Sequence, residues 1–337
     1  MKQTELLSPN EIAQATAAYF GQPVQKMTAP GGKSRTSFRV YFADRTVIVS
    51  QRPHTEQVAL EMRILKELGQ VTDCVPRFLG NTGSLFFQSD AGTDRLNRVI
   101  HTTLPDQRPA IAEKAVEALL EIQRAARRIG LEAGLPSASI DPYQDDDLLR
   151  TVRRAADQLD CSIKGFDPAR LSPLFRQPPA RFVKWDCRAG NSAVDATGKL
   201  RWFDFEDARL GHGPEDLAWL IADEAWPVDM EVMLKIVQAR LTAEDGEDPA
   251  ALMEYLEQFV TLHAIRRIRL IFSQARRRGW LDRVSILKYD WVGVNPHMGE
   301  RLCVMAAALS QRHPATMPLL AIFNRSADAF RRVRSNT

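Results

Sequence analysis

The hydrophobic pattern at the start of the chain predicts a helix followed by a small β-rich lobe. Ser8 and Glu11 have the spacing of a capping box, and Pro9 suits the first helical position, so a helix should begin there and end near Gly21. Alternating apolar and β-branched positions then predict strands at 38–42 and 46–50, a helix at 55–68 closed by Gly69, and strands at 75–79 and 84–88.

Beyond residues 90–92 the pattern becomes mostly helical. Apolar residues recur at helical spacing over 111–129, 214–223 and 249–278, and residues 182–205 predict two short strands around a turn. The acidic segment at 141–147 is expected to be a loop or a lid.

This order of elements predicts an α+β fold rather than a doubly wound parallel sheet. We place the boundary between two lobes at residue 90, so that residues 1–90 form the first lobe and residues 91–337 the second.

Composition narrows the function classes. The net charge of the 337 residues is only +3, which makes no case for binding nucleic acid or an anionic membrane. The four cysteines are Cys74, Cys161, Cys187 and Cys303, too far apart for a zinc or disulfide framework, which suits a reducing compartment. The first residues carry no secretory signal pattern, and no apolar run has the length of a membrane span, so we expect a cytoplasmic protein.

The most informative stretch is F-V-K-W-D-C-R-A-G-N at 182–191, followed by W-F-D-F-E-D at 202–207. The spacing from Asp186 to Asn191 recurs in kinase catalytic loops, and Asp204 comes after a short hairpin. Phosphoryl transfer needs a carboxylate that accepts the proton of the acceptor hydroxyl, together with hard oxygen ligands that hold Mg²⁺ against the phosphates. One tight loop and one hairpin can present all three side chains together.

These residues resemble the aminoglycoside phosphotransferase and choline kinase family, whose typical segment is H-G-D-L-H-P-G-N followed by I-D-W-E or I-D-F-E. Here the segment is K-W-D-C-R-A-G-N followed by F-D-F-E-D, and D-A-R-L-G-H-G-P-E-D-L at 207–217 is similar to the family's segment after the metal-binding aspartate. The resemblance implies a two-lobed protein-kinase-like fold, ATP as phosphate donor and Mg²⁺ as cofactor.

The resemblance also implies roles for single residues. Asp186 would be the catalytic base, and Asn191 and Asp204 would bind Mg²⁺. Asp216 would brace the catalytic loop, and Arg188 would stabilise charge on the transferring phosphoryl group.

The resemblance extends to the predicted nucleotide site in the first lobe. Gly31, Gly32, Lys33 and Ser34 are similar to the loop that covers the phosphates. Glu61 matches the helix position whose carboxylate pairs with the phosphate-binding lysine, although an ordinary exposed role for Glu61 stays open. Gln88, Ser89 and Asp90 fall where the hinge that holds adenine is expected. The last hundred residues are only loosely similar, although 263–281 is similar to the branch that phosphorylates amino sugars.

The chain departs from the family at two positions. No lysine lies between Val40 and Arg63, where the family has its strand lysine, so Arg52, Lys33 or Arg39 would have to neutralise the phosphates. Lys184 replaces the usual histidine of the catalytic loop. A nucleotide-binding regulator with weak or no transferase activity therefore stays open as the alternative.

The nature of the acceptor stays open as well. Asp204 leads almost directly into the helix predicted at 214, without the activation segment of a protein kinase, which favours a small-molecule hydroxyl such as that of an amino sugar, an amino alcohol or an aminoglycoside over a protein side chain. Trp219 and Asp223 are four residues apart and would share a helix face that could hold a cation or a sugar.

Two charged runs give conflicting indications about the same acceptor. Arginines at 266–269 and 276–278 favour a solvated helix face or an anionic substrate, while Asp145, Asp146 and Asp147 favour a cationic one.

Overall fold

The structure is a computed structural model that describes residues 6–30, 36–51, 55–137, 146–246 and 248–335. Its strands are β1 (Lys26–Thr28), β2 (Ser37–Tyr41), β3 (Thr46–Gln51), β4 (Phe78–Thr82), β5 (Leu85–Ser89), β6 (Asp94–Arg95), β7 (Arg181–Val183), β8 (Ser192–Val194), β9 (Leu200–Trp202) and β10 (Arg209–Gly211). Its helices are α1 (Pro9–Phe20), α2 (Thr55–Leu68), α3 (Leu96–Thr102), α4 (Arg108–Arg128), α5 (Asp146–Gln158), α6 (Pro214–Ile221), α7 (Met230–Arg240), α8 (Pro249–Arg278), α9 (Arg283–Tyr289), α10 (Pro296–Ser310) and α11 (Leu320–Ser335).

The first helix forms as its capping signals predict. The Ser8 hydroxyl accepts the backbone N–H of Glu11, and the Glu11 carboxylate accepts the backbone N–H of Ser8. Gly21 ends the helix in the left-handed conformation, at φ 63°. Ile12 on α1 is fully buried against the neighbouring five-stranded sheet.

Five strands form this antiparallel sheet in the order β1-β2-β3-β5-β4. Val40, Val47 and Val49 point with Phe87 to the face that α1 covers, as the alternation of apolar positions predicts. The other face contributes side chains such as Ile48 and Gln88 to a cleft between the sheet and the helical part of the chain.

The remainder of the chain is helical around two small sheets. In one sheet β6 pairs with β8 and β8 with β9, and in the other β7 pairs with β10. The main core joins α2, α4, α6, α8 and α10 to these strands, with Trp202, Phe205 and Trp226 among its largest buried side chains. The short strands are thereby held on a rigid helical base, which is where the predicted catalytic residues lie.

Most predicted elements form within a few residues of their expected positions, and the predicted α+β class is confirmed. The strand expected at 75–79 begins three residues later, because pairing with β5 starts at Phe78 and Pro76 has no N–H to donate. The helix expected at 214–223 ends at Ile221, and Asp146 and Asp147 begin α5 rather than lie in a loop. The remainder of the acidic segment, 141–145, falls outside the described residues.

Within the described part of the chain, no helix combines the length and apolar character that crossing a membrane requires.

The link between the first sheet and the helical part depends on Gly92. Its φ is +130°, and a Cβ there would lie 2.6 Å from the carbonyl oxygen of Val194 on β8. Gly198, in the turn of the β8–β9 hairpin, has φ +80° but nothing within 4 Å of a Cβ. Alanine substitution at the two positions therefore separates the free-energy cost of a positive φ from the cost of steric overlap.

We expect Gly92→Ala to lower the free energy of unfolding by about 1–3 kcal/mol more than Gly198→Ala, because only the former also overpacks. Urea titration followed by circular dichroism measures both values. Equal losses would show that Val194 gives way and that the close approach is not a constraint.

Candidate active site

The loop between β7 and β8 holds the predicted base in a strained conformation. Trp185 and Asp186 have φ values of 62° and 38°, and Asp204, after β9, has φ 69°. Residues other than glycine adopt positive φ at a cost of order 1–3 kcal/mol each, so they persist only where surrounding contacts hold them. The contacts that hold this loop come from Asp216 and Lys184.

Asp216 lies in the first turn of α6 and is fully buried. Its two carboxylate oxygens accept the backbone N–H groups of Lys184, at 2.9 Å, and Trp185, at 2.8 Å. Gln123 on α4 donates to the same carboxylate at 2.8 Å. The structure therefore places Asp216 where a brace for the loop must lie. Burial raises the pKa of Asp216, although these hydrogen bonds oppose the increase.

Lys184 stands where relatives of the predicted family have histidine, and it ties the two halves of the site together. Its side chain is fully buried, and its ammonium group donates to the carbonyl oxygen of Asp204 at 2.9 Å. The same ammonium lies 3.5 Å from the carbonyl oxygen of Asp186. Lys184 thus links the loop that carries Asp186 to the segment that carries Asp204 and adds a positive charge beneath both.

The carboxylate of Asp186 is held by Arg188 and Asn191. Arg188 donates to both oxygens, through Nε at 2.8 Å and Nη2 at 3.1 Å, and Asn191 Nδ2 donates to Oδ2 at 2.9 Å. Burial alone would raise the pKa of Asp186, but the charges of Arg188, Lys184 and Arg267 and the hydrogen bonds from Arg188 together outweigh burial. The pKa is held well below its usual range, so Asp186 is ionised and oriented at neutral pH.

Asn191 and Asp204 are brought together by the β8–β9 hairpin, in which the backbone N–H of Phe203 donates to the carbonyl oxygen of Asn191 at 3.0 Å. Since Nδ2 of Asn191 donates to Asp186, its amide oxygen remains as the possible metal ligand. An amide oxygen and a carboxylate are the hard donors that Mg²⁺ prefers, so this pair fits a magnesium ion. Both residues line the main cleft.

The main cleft has a volume of about 390 Å³ and lies between the five-stranded sheet and the helical part of the chain. The predicted hinge residues Gln88 and Asp90 line it, and so do Glu61, Asn191 and Asp204. Gln88 is buried, and among the described residues its Oε1 has no hydrogen-bond partner. An unpaired acceptor at this position suits a ligand that brings its own donor.

The side chain of Asp90 is engaged inside the protein. It accepts hydrogen bonds from Arg39 Nη2 and Thr46 Oγ1, both at 2.9 Å, and from the backbone N–H of Gly92 at 3.1 Å. Arg39 also donates to the carbonyl oxygen of Gly92 at 2.7 Å. The predicted phosphate ligand Arg39 thus stabilises the link between the lobes, and only the Asp90 backbone remains for a nucleotide.

Glu61 is buried, which excludes the ordinary exposed role that the sequence left open. Its Oε1 accepts the backbone N–H of Phe205 at 3.3 Å, so α2 is tied to the segment that carries Asp204. The predicted phosphate-covering residues Gly31, Gly32, Lys33 and Ser34, and the predicted phosphate ligand Arg52, lie outside the described residues.

Asp290, which no sequence pattern singled out, completes the charged cluster. It ends α9 at φ 51°, lines the cleft and lies 3.6 Å from Arg188 and 3.8 Å from Arg95. A Cβ at Gly190 would lie 1.7 Å from its carboxylate, so glycine is required there. Arg95 also donates to the carbonyl oxygen of Gly190 at 3.3 Å. Asp290 belongs to no local motif, and its position depends on how α9 packs against α3.

The predicted substrate pair of Trp219 and Asp223 does not share a helix face. Because α6 ends at Ile221, Asp223 lies beyond it and its carboxylate accepts the N–H groups of Ala189 and Ala225. Asp223 therefore fixes the position of the loop that carries Asp186. Trp219 is buried, and the Arg267 guanidinium already lies 5.9 Å from its ring centroid.

Comparisons with known proteins relate the chain to a family and to solved structures. A sequence profile described as "Phosphotransferase enzyme family" matches residues 28–255, more than half of the chain. No curated protein sequence matches significantly.

Solved structures with a similar fold share 12–14% sequence identity with the chain. Choline kinase LicA from Streptococcus pneumoniae superposes with a TM-score of 0.54, covering 89% of this chain and 99% of its own. The gentamicin complex of APH(2")-IIa gives 0.53, with 93% and 99% covered. ADP-bound APH(2'')-Ib gives 0.51, with 87% and 99% covered. The predicted two-lobed kinase-like fold is thereby confirmed.

We expect Asp216→Ala to lower both stability and activity, because it removes the acceptor of two backbone hydrogen bonds. These two bonds hold the strained loop at Trp185 and Asp186 in place. The loss of unfolding free energy should be at least about 2–3 kcal/mol. Asp216→Asn keeps one acceptor oxygen and should lose less. Asp328→Asn, at an exposed carboxylate on α11, is the matched control. Urea unfolding and ADP formation from MgATP measure the two effects, and an Asp216→Ala protein that keeps both would remove the brace from this account.

We expect Asp290→Asn to tighten binding of ATP without Mg²⁺ by roughly 3–10-fold, because Arg95 and Arg188 lose a neutralising carboxylate in the cleft. Isothermal titration calorimetry with and without Mg²⁺ measures this change. If instead only MgATP binding weakens, Asp290 is a metal ligand rather than a partner of the two arginines.

Proposed function

This chain belongs to the phosphotransferase enzyme family, and on that premise we propose that it transfers the γ-phosphate of ATP to a hydroxyl of a small molecule. The observation that carries the proposal is the joint position of three side chains. Asp186 is ionised and oriented by Arg188, and Asn191 donates to it while lining the cleft together with Asp204. Asp186 is thus in contact with one candidate metal ligand, Asn191, which lines a nucleotide-sized cleft together with the other, Asp204.

In this proposal ATP lies in the cleft between lobes of residues 1–90 and 91–337. The adenine would contact the hinge, where the unpaired Oε1 of Gln88 can accept a hydrogen bond from its amino group. The ADP complex of the similar APH(2'')-Ib supports nucleotide binding. Arg95 lines the cleft beside Asn191 and is our candidate, from the described residues, for a cation that faces the phosphates in place of the family's strand lysine.

The contacts of Asp186 determine the chemistry. The acceptor hydroxyl would donate a hydrogen bond to a carboxylate oxygen of Asp186. As the hydroxyl oxygen bonds to the γ-phosphorus and ADP leaves, the hydroxyl proton would move to Asp186. A depressed pKa makes Asp186 a weak base, so its main contribution is orientation, with the proton transferred late. Bound Mg²⁺, held by Asn191 and Asp204, would neutralise phosphate charge.

The alternative function is nucleotide binding with weak or no transfer. The observation that favours it is the composition of β3, where Ser50 and Gln51 stand in place of a strand lysine. The two functions differ in what an acceptor does to ATP consumption. A binding protein would retain ATP without forming ADP whatever acceptor is added.

We expect Asp186→Asn to bind MgATP with nearly the parent affinity and to lower transfer by roughly 10²–10⁴-fold, because the base positions the acceptor and not the nucleotide. ADP formation across a panel of sugars, amino sugars, amino alcohols and aminoglycosides measures transfer, and calorimetry measures affinity.

Asp328→Asn serves as the control for loss of an exposed carboxylate. Transfer at the parent rate in Asp186→Asn would refute the assignment of the base. Tight ATP binding by the parent protein with no turnover on any acceptor would favour the regulator.

A further inference from the structure

A second pocket, of about 380 Å³, opens between α5, α6 and α8. We call it the arginine pocket, and the residues that define it are Thr151, Trp219, His263, Arg266, Arg267 and Arg269. It shares no lining residue with the cleft proposed for ATP. It therefore offers a separate place for a second ligand.

Two buried polar atoms in the arginine pocket are unsatisfied. Trp219 is 8% exposed and His263 is 2% exposed. Among the described residues, neither Trp219 Nε1 nor His263 Nε2 has a hydrogen-bond partner. The indole nitrogen can only donate. Buried polar groups are normally paired, so these two indicate a ligand that supplies the missing acceptor.

The charge of the arginine pocket is positive. Arg267 is neutralised inside the protein, since Glu224 accepts from its Nε at 2.9 Å and from its Nη2 at 2.7 Å. Arg266 is exposed at the rim, and Arg269 lies one turn away from it on the same helix. No carboxylate is among the described residues that line the pocket. An anionic group would therefore be favoured there over a cationic one.

A chain of aromatic rings connects the arginine pocket to the base. Trp185 directly precedes Asp186, and its ring meets that of Trp219 edge-on, with centroids 6.0 Å apart. Trp219 in turn packs on His263, at 4.2 Å. The Arg209 guanidinium lies 4.6 Å from the Trp185 centroid, which adds a further cation on this side of the base.

Building on the proposed function, we propose that the acceptor is an anion: its hydroxyl meets Asp186 while an oxyanion elsewhere on the same molecule occupies the arginine pocket. Trp219 Nε1 and His263 would donate to this oxyanion, and Arg266 would pair with it. A carboxylate and a phosphate ester share this chemistry. The conflict between the two charged runs of the sequence is thereby resolved in favour of the arginines.

Four sugars with one ring and different charges test this proposal: glucuronate, glucose 6-phosphate, glucose and glucosamine. Calorimetry with saturating MgADP, which fills the nucleotide cleft, should give at least one anionic sugar a Kd about tenfold below those of glucose and glucosamine. Arg266→Gln and Trp219→Phe, which removes the indole donor together with one of the two rings, should each remove most of this preference. Arg277→Gln, an exposed arginine on the same helix, should leave it intact. The two anions distinguish carboxylate from phosphate.

Glucosamine binding as tightly as the anions, binding of neither anion, or an anion preference unchanged by Arg266→Gln would overturn the proposal. ADP formation with the same sugars separates the two levels of inference. Anion binding that depends on Arg266, with no ADP formed from any of the four sugars, would support the pocket and favour the binding protein over the transferase. Transfer to glucosamine at equal rates in the parent and Arg266→Gln would support the transferase and refute the role of the arginine pocket.

Discussion

The buried carboxylate of Asp216 is the contact on which the rest of the site depends. Lys184 and Trp185 follow β7, and their backbone N–H groups donate to the two carboxylate oxygens of Asp216. Trp185 adopts a left-handed conformation, which costs free energy. This turn aims the Asp186 side chain toward Arg188 and Asn191 and brings Lys184 beneath Asp204. The core around α6, which includes Leu217 and Trp226, fixes Asp216 in turn. The geometry of the candidate active site is therefore set by packing in the helical lobe.

Charge balance is the second constraint. Arg188 is half-buried and Arg267 is buried, and each faces carboxylates: Asp186 and Asp290 for the former, Glu224 for the latter. Burying a charge without a partner is costly, so each arginine is paired with carboxylates whose ionised state it stabilises. Ionised Asp186 is one consequence. Since Arg267 is neutralised by Glu224, the exposed Arg266 gives the neighbouring pocket its positive character.

The three side chains proposed as base and metal ligands could be predicted from the sequence to lie close together because their geometry is local. Asp186 and Asn191 lie in one loop, and a single hairpin fixes Asp204, so spacing carries most of the information. Asp290 could not be predicted in this way, since it reaches Arg188 only through the packing of α9 on α3. Three further features also depend on tertiary packing and could not be predicted from local patterns. They are the pairing of Arg39 with Asp90, the burial of Glu61 and the end of α6 before Asp223. In the last case a side-chain hydrogen bond to the backbone replaced the helical one.

We propose that the loop braced by Asp216 presents a metal-dependent phosphate site, and a crystal structure with Mg²⁺ and a non-hydrolysable ATP analogue is the sharpest test. We expect a metal within roughly 2.0–2.1 Å of Asn191 Oδ1 and an Asp204 oxygen, bridging to the phosphates, with the γ-phosphate facing Asp186. A nucleotide bound elsewhere, or bound in the cleft with its phosphates turned away from Asn191 and Asp204, would contradict it.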